Sequence, residues 1–522
     1  MHNKAHQASE PKPVSKWLIA LTVMLPTLME IIDTSVANVA LPHMQGSFNA
    51  GADEVTWVLT SYLVSNAIVL PMTGWLSRVF GRRRFLMTCV TLFTIASLLC
   101  GAAPNLGMMI FFRILQGAAG GALQPMSQAI LFESFPVNER GVATAIFGVG
   151  AMFGPIIGPA LGGWITDQIN WRWIFWINIP FGVISLILTK YLIHDPSWLK
   201  KGVEKVDYWG LALLTIGIGS LQVVLDKGQR EDWFESPFII AFTAVMVIAL
   251  IVLIYHELTT DHPIVNLRLF KDRNFATGNL LMFMFGFCLY GTIVLLGLML
   301  QMLMGYNATL AGLVLAPGGV ATLIMMPFVG IAIKKQDPRK ITFVGLIISA
   351  VALHMMTQFN LQASYWTFVW PRVVLGFGMA MTFVPLTAIA YQTISKEEMG
   401  NATGFFNLLR NVGGSVGIAF SATMLQRYGQ VFHNNMVGYI SIYNPVYMDK
   451  FDAVKQGAIS RGLDPSTAGQ TANALIYGDM KRQAAMMSYN NIYLILGAMF
   501  IVVMPFLLLV RRAKAAPAGP MH

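Results

Sequence analysis

Residues 74–84 read Gly-Trp-Leu-Ser-Arg-Val-Phe-Gly-Arg-Arg-Arg, a short basic turn between two apolar runs at about 54–77 and 85–103. Each run is close to the roughly 20 residues that a helix needs to cross the hydrocarbon core of a bilayer. A short turn that carries four arginines stays on the cytoplasmic side of a membrane. The stretch therefore predicts a pair of antiparallel membrane helices, and the rest of the fold can be built outward from it.

The composition extends this interpretation to the whole chain. Of the 522 residues, 55% are apolar and 11% are charged, against roughly 45–50% and 25% in soluble globular proteins. This balance excludes an ordinary soluble enzyme and predicts an all-α polytopic membrane protein. We place fourteen transmembrane helices at about 17–41, 54–77, 85–103, 107–132, 142–166, 174–194, 207–226, 237–257, 277–304, 309–333, 341–358, 366–394, 402–426 and 488–510.

The basic residues orient these helices. If the N-terminus is cytoplasmic, 23 lysines and arginines lie in cytoplasmic segments and only three lie in the short outer loops. Six more lie in the long outer segment 427–487, and three lie within spans. Positive charge marks the cytoplasmic side, so we predict that the N-tail (1–16) and the C-tail (511–522) are both cytoplasmic.

Two parts of the chain match each other. The turn 74–84 matches 330–340 at an offset of 256, and Arg113–Gly117 matches Arg372–Gly376 at an offset of 259. Two parallel halves are one repeat architecture of secondary transporters, with the binding site between them. We predict six-helix halves at 17–194 and 277–510 with an inserted helix pair at 207–257. Chance matching of Gly and Ala in apolar helices is the alternative.

Two carboxylates lie within the first span. Glu30 and Asp33 are three residues apart, on one helix face. Acidic residues inside a membrane usually serve a proton path or pair with a cation. Arg113 lies at a similar depth, since helical rise places it about 9 Å, and Asp33 about 12 Å, from the outer surface. We predict an Asp33–Arg113 ion pair and a proton-coupling role for all three residues. A purely structural carboxylate–arginine pair is the alternative.

Two further groups of residues are candidates for function. The first group contains glycines at four-residue spacing, prolines and the arginines of the basic turn. Small residues at this spacing let helices approach closely and proline softens a helix, so we predict that this group forms a conformational gate. Its alternative roles are packing and topology. The second group comprises polar side chains within spans that are candidates for a substrate cavity, although Arg372 and Arg410 are also candidates for structural hydrogen-bond donors. The gate group is Gly74, Arg78, Gly81, Arg82, Gly150, Gly154, Pro155, Gly158 and Pro159, and the cavity group is Gln116, Arg372, Asn407 and Arg410.

These motifs resemble those of major facilitator drug:proton antiporters. The resemblance is carried by the basic turn, by 113–120 (Arg-Ile-Leu-Gln-Gly-Ala-Ala-Gly), by 154–159 (Gly-Pro-Ile-Ile-Gly-Pro) and by Ile32-Asp33-Thr34. Residues 171–180 and 217–222, followed by Asp226 and Asp232-Trp233, are similar to the fourteen-span EmrB/QacA branch, and most of all to its EmrB-type members. The resemblance implies proton coupling through Asp33 and Arg113. It departs at Ser77, where the family's turn has Asp, so a gate charge pair there is in doubt.

The resemblance also implies location and partners. We expect a multi-pass protein of the bacterial inner membrane that exchanges protons for hydrophobic or amphipathic compounds. It would need no cofactor and no metal, because the proton gradient drives it, and it would bind no nucleic acid. EmrB-type pumps work with a periplasmic EmrA-like adaptor and an outer-membrane channel. In 427–487 we predict a helix start at Asp464-Pro465-Ser466 that extends the last span outward and docks such a partner, with a solvated loop as the alternative.

Two other functions remain open at this point. A proton symporter for a nutrient or a lipid-like substrate would have the same fold and differ in the direction of coupled flux. A non-transporting sensor or an intramembrane enzyme is more remote, because the histidines form no cluster with metal-binding spacing. A primary pump is disfavoured, because the sequence contains no Gly-Lys dipeptide and hence no Walker A loop.

Overall fold

A computed structural model describes residues 15–136, 139–196, 206–261 and 263–511. Within its helices, the side chains of residues 52, 53, 152, 153, 155, 156, 159, 160 and 308 are not described. Most of the predicted N-tail and C-tail therefore lies outside the described residues, as do the side chains of Pro155 and Pro159. The described chain is helical and contains no β-strand.

The helices follow the predicted spans closely. Within the described residues, twelve are long and apolar enough to cross a membrane. Two further helices, Arg140–Gln168 and Met399–Val437, coincide with the fifth and thirteenth predicted spans, so fourteen spans remains a prediction. In chain order the helices are α1 (Lys16–Phe48), α2 (Trp57–Phe80), α3 (Arg82–Ala102), α4 (Leu106–Ser134), α5 (Arg140–Gln168), α6 (Trp173–Leu192), α7 (Tyr208–Lys227), α8 (Pro237–Thr259), α9 (Arg273–Leu303), α10 (Ala308–Ala332), α11 (Pro338–Met356), α12 (Tyr365–Tyr391), α13 (Met399–Val437), α14 (Pro445–Ile459) and α15 (Pro465–Leu509).

Local sequence explains where several helices start. Side chains of Asn or Asp accept hydrogen bonds from backbone N–H groups of the first turn, which satisfies donors that have no partner inside the helix. Asn105 caps α4, Asp272 caps α9 and Asn307 caps α10 in this way. Between α2 and α3 the chain turns at Gly81, whose φ of +80° lies in the region that glycine adopts without strain.

The two predicted halves meet at the end that carries the basic turns. A Cβ atom at Gly74 would lie within 2.4 Å of both the side-chain Oδ1 and the backbone nitrogen of Asn401, so α2 and α13 touch there. A Cβ at Gly141 would likewise lie 2.9 Å from the carbonyl oxygen of Gly330, where α5 meets α10. The sequence repeat relates Gly74 to Gly330, so the two contacts are equivalent under it. The protein is therefore closed at the end predicted to be cytoplasmic.

The inserted helix α7 contacts both halves near its C-terminal end. Asp226 accepts a hydrogen bond from Thr60 of α2, and Lys227 donates to Thr56 at 2.8 Å. On the other side, Gln222 donates to Ser415 of α13 at 3.1 Å. The inserted pair therefore bridges the halves on the side opposite the basic turns.

The long outer segment is mostly helical. Asp464 caps α15, as predicted, and its side chain accepts from the backbone N–H groups of Ser466 and Thr467 at 3.0 Å each. Two features were not predicted: α13 continues past the predicted end of its span to Val437, and the separate helix α14 precedes Asp464. The segment 427–487 is thus a helical extension of α13 and α15 over most of its length.

Candidate functional site

A buried ion pair lies in the interior of the first six helices. Arg113 Nη1 donates to Asp33 Oδ2 at 2.7 Å, and both side chains are about 1% exposed. Helical rise from the predicted outer ends of the first and fourth spans predicts this contact, and the structure contains it. Removing one partner of a buried pair typically costs about 3–5 kcal/mol, because the other charge is left without compensation.

The remaining hydrogen-bonding capacity of Asp33 is also used. Its Oδ1 accepts from Gln116 Nε2 and from Asn178 Nδ2, at 2.8 Å each. Asn178 itself donates to Ser97 at 3.0 Å, which fixes its orientation. Gln116, a predicted cavity residue, therefore orients the carboxylate. Asn178 is a site residue that the sequence analysis did not single out.

Arg113 is held equally firmly. Its Nε donates to the carbonyl oxygen of Val58 at 3.1 Å, and its Nη1 also donates to Gln116 at 2.8 Å. The guanidinium lies 4.1 Å from the centroid of the Tyr62 ring, a distance at which the ring face stabilises a cation. The ion pair is thus a preorganised unit, enclosed by side chains of α2, α4 and α6.

Glu30 belongs to a different network. Its carboxylate accepts from Gln124 at 2.5 Å and from Tyr62 and Asn66 at 3.2 Å each. Gln124 in turn accepts from Arg410 Nη2 of α13 at 2.7 Å. Glu30 is therefore linked through Gln124 to a cation of the other half. The sequence analysis predicted the ion pair of Arg113 with Asp33 and gave Glu30 no partner in the other half.

Further polar contacts join the halves beside this network. Asn407 Nδ2 donates to Gln128 Oε1 at 2.8 Å, and Thr403 Oγ1 donates to the carbonyl oxygen of Pro125 at 3.0 Å. Thr403, Asn407 and Arg410 thus face α4 along one side of α13. Two predicted cavity residues, Asn407 and Arg410, are occupied by these contacts.

The glycine stripe of α5 packs on the helix that carries both carboxylates. A Cβ at Gly154 would lie 2.1 Å from Cγ2 and 2.9 Å from the carbonyl oxygen of Ile31, and one at Gly158 would lie 2.3 Å from Cβ of Ser35. Gly150 meets only the flexible end of Met24. Because Gly154 faces the backbone between Glu30 and Asp33, a shift of α5 acts directly on α1.

The basic turn contacts both its own half and the opposite one. Arg82 is buried and pairs with Glu133 of α4, whereas Arg78 Nη1 lies 4.0 Å from Glu398 at the start of α13. Ser77 donates to the carbonyl oxygen of Gly74 at 2.8 Å, within its own helix. The charge contact to α13 is therefore supplied by Arg78.

The same end is fastened by contacts around the start of α5. Arg140 Nη1 donates to the carbonyl oxygen of Tyr391 in α12 at 3.0 Å. Lys16 hydrogen-bonds to Glu139 and thereby lowers the pKa of that carboxyl. These contacts add to the closure between the halves and to the packing of α1 on α5.

Arg372 is the one predicted cavity residue that lines a described cavity. This cavity lies between α9, α10 and α12, and its other lining residues include Leu289, Ile293 and Thr322.

Within the described residues, no group of three or more His, Cys, Asp or Glu side chains is arranged to hold a metal ion.

Comparisons with known proteins agree with this fold. The model of the Major Facilitator Superfamily matches residues 23–418. Multidrug export protein EmrB of Escherichia coli (strain K12) is 35% identical over 93% of this chain and 94% of its own. EmrB of Haemophilus influenzae is 36% identical over 85% and 87%. Among solved structures, the proton:xylose symporter XylE superposes with a TM-score of 0.59 at 16% identity, covering 94% of this chain and 95% of its own, which supports the fold alone.

The family model matches most of the chain, and both EmrB relatives are more than 30% identical and nearly as long as this protein. These matches define the protein as a membrane transporter rather than an enzyme. The chain belongs to the major facilitator superfamily and, within it, to the branch of the EmrB-type multidrug exporters.

Proposed function

We propose that this protein is a multidrug efflux transporter that exchanges protons for hydrophobic or amphipathic compounds, and that Asp33 carries the exchanged proton. The observation that carries the proposal is the buried Asp33–Arg113 ion pair. The Asp33 carboxylate is stable in this interior because it lies beside the Arg113 guanidinium. Protonation of Asp33 would therefore leave Arg113 without its counter-charge.

The coupling follows from the contacts of the pair. Protonation of Asp33 from the outer side neutralises the acceptor of Arg113, so the charge-assisted bond between them weakens. Gln116 and Asn178 still contact the protonated group, because a carboxylic acid retains acceptor capacity. Arg113 is then released from α1 while remaining bonded to Val58 of α2. Proton binding thereby changes how α1 is held against α2 and α4.

Glu30 couples this change to the other half. Its link through Gln124 to Arg410 crosses between α4 and α13. When the cytoplasmic ends separate to open the transporter inward, this link has to break together with the Asn407–Gln128 bond. Glu30 therefore stabilises the arrangement in which the cytoplasmic end is closed.

We infer that the described arrangement is closed toward the cytoplasm. The contacts Gly74–Asn401 and Gly141–Gly330 close the end that carries the basic turns. The excess of lysine and arginine on that side supports a cytoplasmic position for it and for both termini. We place the protein in the bacterial inner membrane, with the extensions of α13 and α15 in the periplasm.

Those extensions are the proposed docking site for a periplasmic adaptor of the EmrA type, which would lead to an outer-membrane channel. Large apolar side chains are exposed where α13 turns into α14, including Tyr439, Ile442, Tyr443 and Val446. Exposed apolar groups clustered at the tip of a polar segment are typical of a contact surface. Deleting residues 438–463 should abolish efflux that depends on the adaptor while leaving exchange by the purified protein intact.

The exchange itself is tested in proteoliposomes that are acidic inside and contain a pH-sensitive dye. Addition of ethidium outside should make the lumen more alkaline if substrate and proton move in opposite directions. A nutrient symporter would give no alkalinisation, because substrate and proton would then enter together. Acidification on adding ethidium would refute antiport.

A further inference from the structure

Arg372 is a buried arginine without a counter-charge. Its side chain is 7% exposed, and within the described residues it forms no ion pair and no hydrogen bond; its buried Nε has no partner. The interpretation of Arg372 as a donor to backbone carbonyls is therefore not supported by its contacts. A buried guanidinium that lacks such partners is costly. Its position is explained if a bound ligand supplies the missing counter-charge.

The sequence repeat shows what is missing. Arg372 corresponds to Arg113 at the offset of 259, and both lie seven residues from the outer start of their helices. At the offset of 256, the position that corresponds to Asp33 is Leu289. In the first half the arginine has a carboxylate partner at 2.7 Å. In the second half an aliphatic side chain stands in the place of that carboxylate.

The place is not filled. Leu289 and Arg372 line the same cavity between α9, α10 and α12, and the other lining residues are apolar except Thr322. The hydroxyl of Thr322 already donates to the carbonyl oxygens of Gly318 and Gly376. The cavity measures about 40 Å³. Since a single water needs about 10–15 Å³ on this scale, the cavity holds a carboxylate-sized group but not a whole drug-sized molecule.

Arg372 stays cationic, because a guanidinium is not deprotonated in proteins. Among the described residues, the fully buried Tyr493 of α15 is the titratable group whose charge acts on Arg372, and its hydroxyl has no hydrogen-bond partner. Tyrosine is neutral near pH 7, so it does not neutralise the guanidinium. The cavity therefore combines one fixed positive charge with an apolar wall.

We infer that this cavity binds the anionic head of an amphipathic substrate, which supplies Arg372 with the carboxylate that Asp33 supplies to Arg113. The apolar body of such a ligand would extend from the mouth of the cavity along Leu289, Ile293 and Leu315. This inference rests on the proposed efflux function and assigns the recognition of a substrate's anionic head to Arg372, with a medium-chain carboxylate as the probe.

The test is a binding measurement with radiolabelled decanoate on the full chain in nanodiscs at pH 8, with empty nanodiscs as the blank. 1-Decanol, which has the same chain and no charge, serves as the second probe. Arg372→Gln should raise the Kd for decanoate about ten- to a hundredfold, the range expected for loss of a charged hydrogen bond, and should affect decanol much less. Arg427→Gln removes one arginine from the exposed outer surface and should leave both affinities unchanged.

A second variant keeps the inference testable if Arg372→Gln fails to fold. Leu289→Asp places a carboxylate at the position equivalent to Asp33, so it should pair with Arg372 and abolish decanoate binding. Wild-type affinity for decanoate in Leu289→Asp, or equal losses for decanoate and decanol in Arg372→Gln, would overturn the inference.

The two proposals fail separately. If the wild-type protein exchanges protons for ethidium but binds decanoate no better than decanol, only the anion site is refuted. If ethidium moves no protons while decanoate binding still depends on Arg372, the anion site stands and proton exchange for ethidium is refuted.

Discussion

The buried ion pair makes a quantitative prediction about stability. In Asp33→Asn the guanidinium of Arg113 keeps its bonds to Val58 and Gln116 but loses its counter-charge. In Arg113→Gln the carboxylate of Asp33 keeps Gln116 and Asn178 but loses its cation. Each single variant thus leaves one charge in a position that is about 1% exposed.

We expect each single substitution to lower the free energy of unfolding by about 3–5 kcal/mol, the usual cost of breaking a buried pair. The double variant removes both charges and should cost less than the sum of the singles, by about 2–3 kcal/mol. Ser488→Ala is a control away from the site. It removes one buried hydrogen bond, from Ser488 to the carbonyl oxygen of Ala484 in α15, and should cost only about 1 kcal/mol.

Acid separates the two singles. Protonation can neutralise the carboxylate left in Arg113→Gln but not the guanidinium left in Asp33→Asn, so only Arg113→Gln should recover stability when the pH is lowered. The measurement is denaturant-induced unfolding of purified protein, followed by tryptophan fluorescence. Additive single effects, or the same pH dependence in both variants, would refute the account of a tightly coupled buried pair.

Three further substitutions test the moving parts. Gly154→Ala should slow ethidium exchange about tenfold or more, because overpacking against α1 costs about 1–3 kcal/mol. Gly163→Ala is the control, since a Cβ there would meet its nearest atom only at 3.9 Å, and it should not slow exchange. Equal rates in the two variants would mean that the glycine stripe serves packing alone. Gly74→Ala should populate the inward-open state, seen as a longer distance between spin labels on the cytoplasmic ends of α2 and α13, and an unchanged distance would contradict the closure described here. Glu30→Gln should retain transport with a shifted pH profile, since the link to α13 loses its charge, and an unchanged profile would place Glu30 outside the coupled site.

Much of the fold could be predicted because membrane helices are marked by length and polarity alone. The Asp33–Arg113 pair could also be predicted, since both residues lie in spans of the same half and helical rise gives their depths. The link from Gln124 to Arg410 could not be predicted, because it joins residues 286 positions apart. The link also requires a conformation in which α4 and α13 lie against each other. Gln124 and Gln128, four residues apart and buried within an apolar span, were the available signal.

The outer segment shows a different limit. The start of α15 was predicted because Asp464-Pro465-Ser466 is a strong local signal for a helix start. The continuation of α13 beyond residue 426 was missed because residues 427–437 are too polar for a span, although Tyr428, Val431, Phe432 and Met436 recur there at helical spacing. Hydropathy marks where a helix leaves the membrane and says little about where the helix ends.

The central claim is that Asp33 carries the exchanged proton. The most direct measurement is ethidium-driven proton release from acidic proteoliposomes containing either the wild-type protein or Asp33→Asn, each reconstituted at the same density of folded protein. The account predicts prompt alkalinisation of the lumen with the wild-type protein and none with Asp33→Asn. Proton release by Asp33→Asn at the wild-type rate would contradict it.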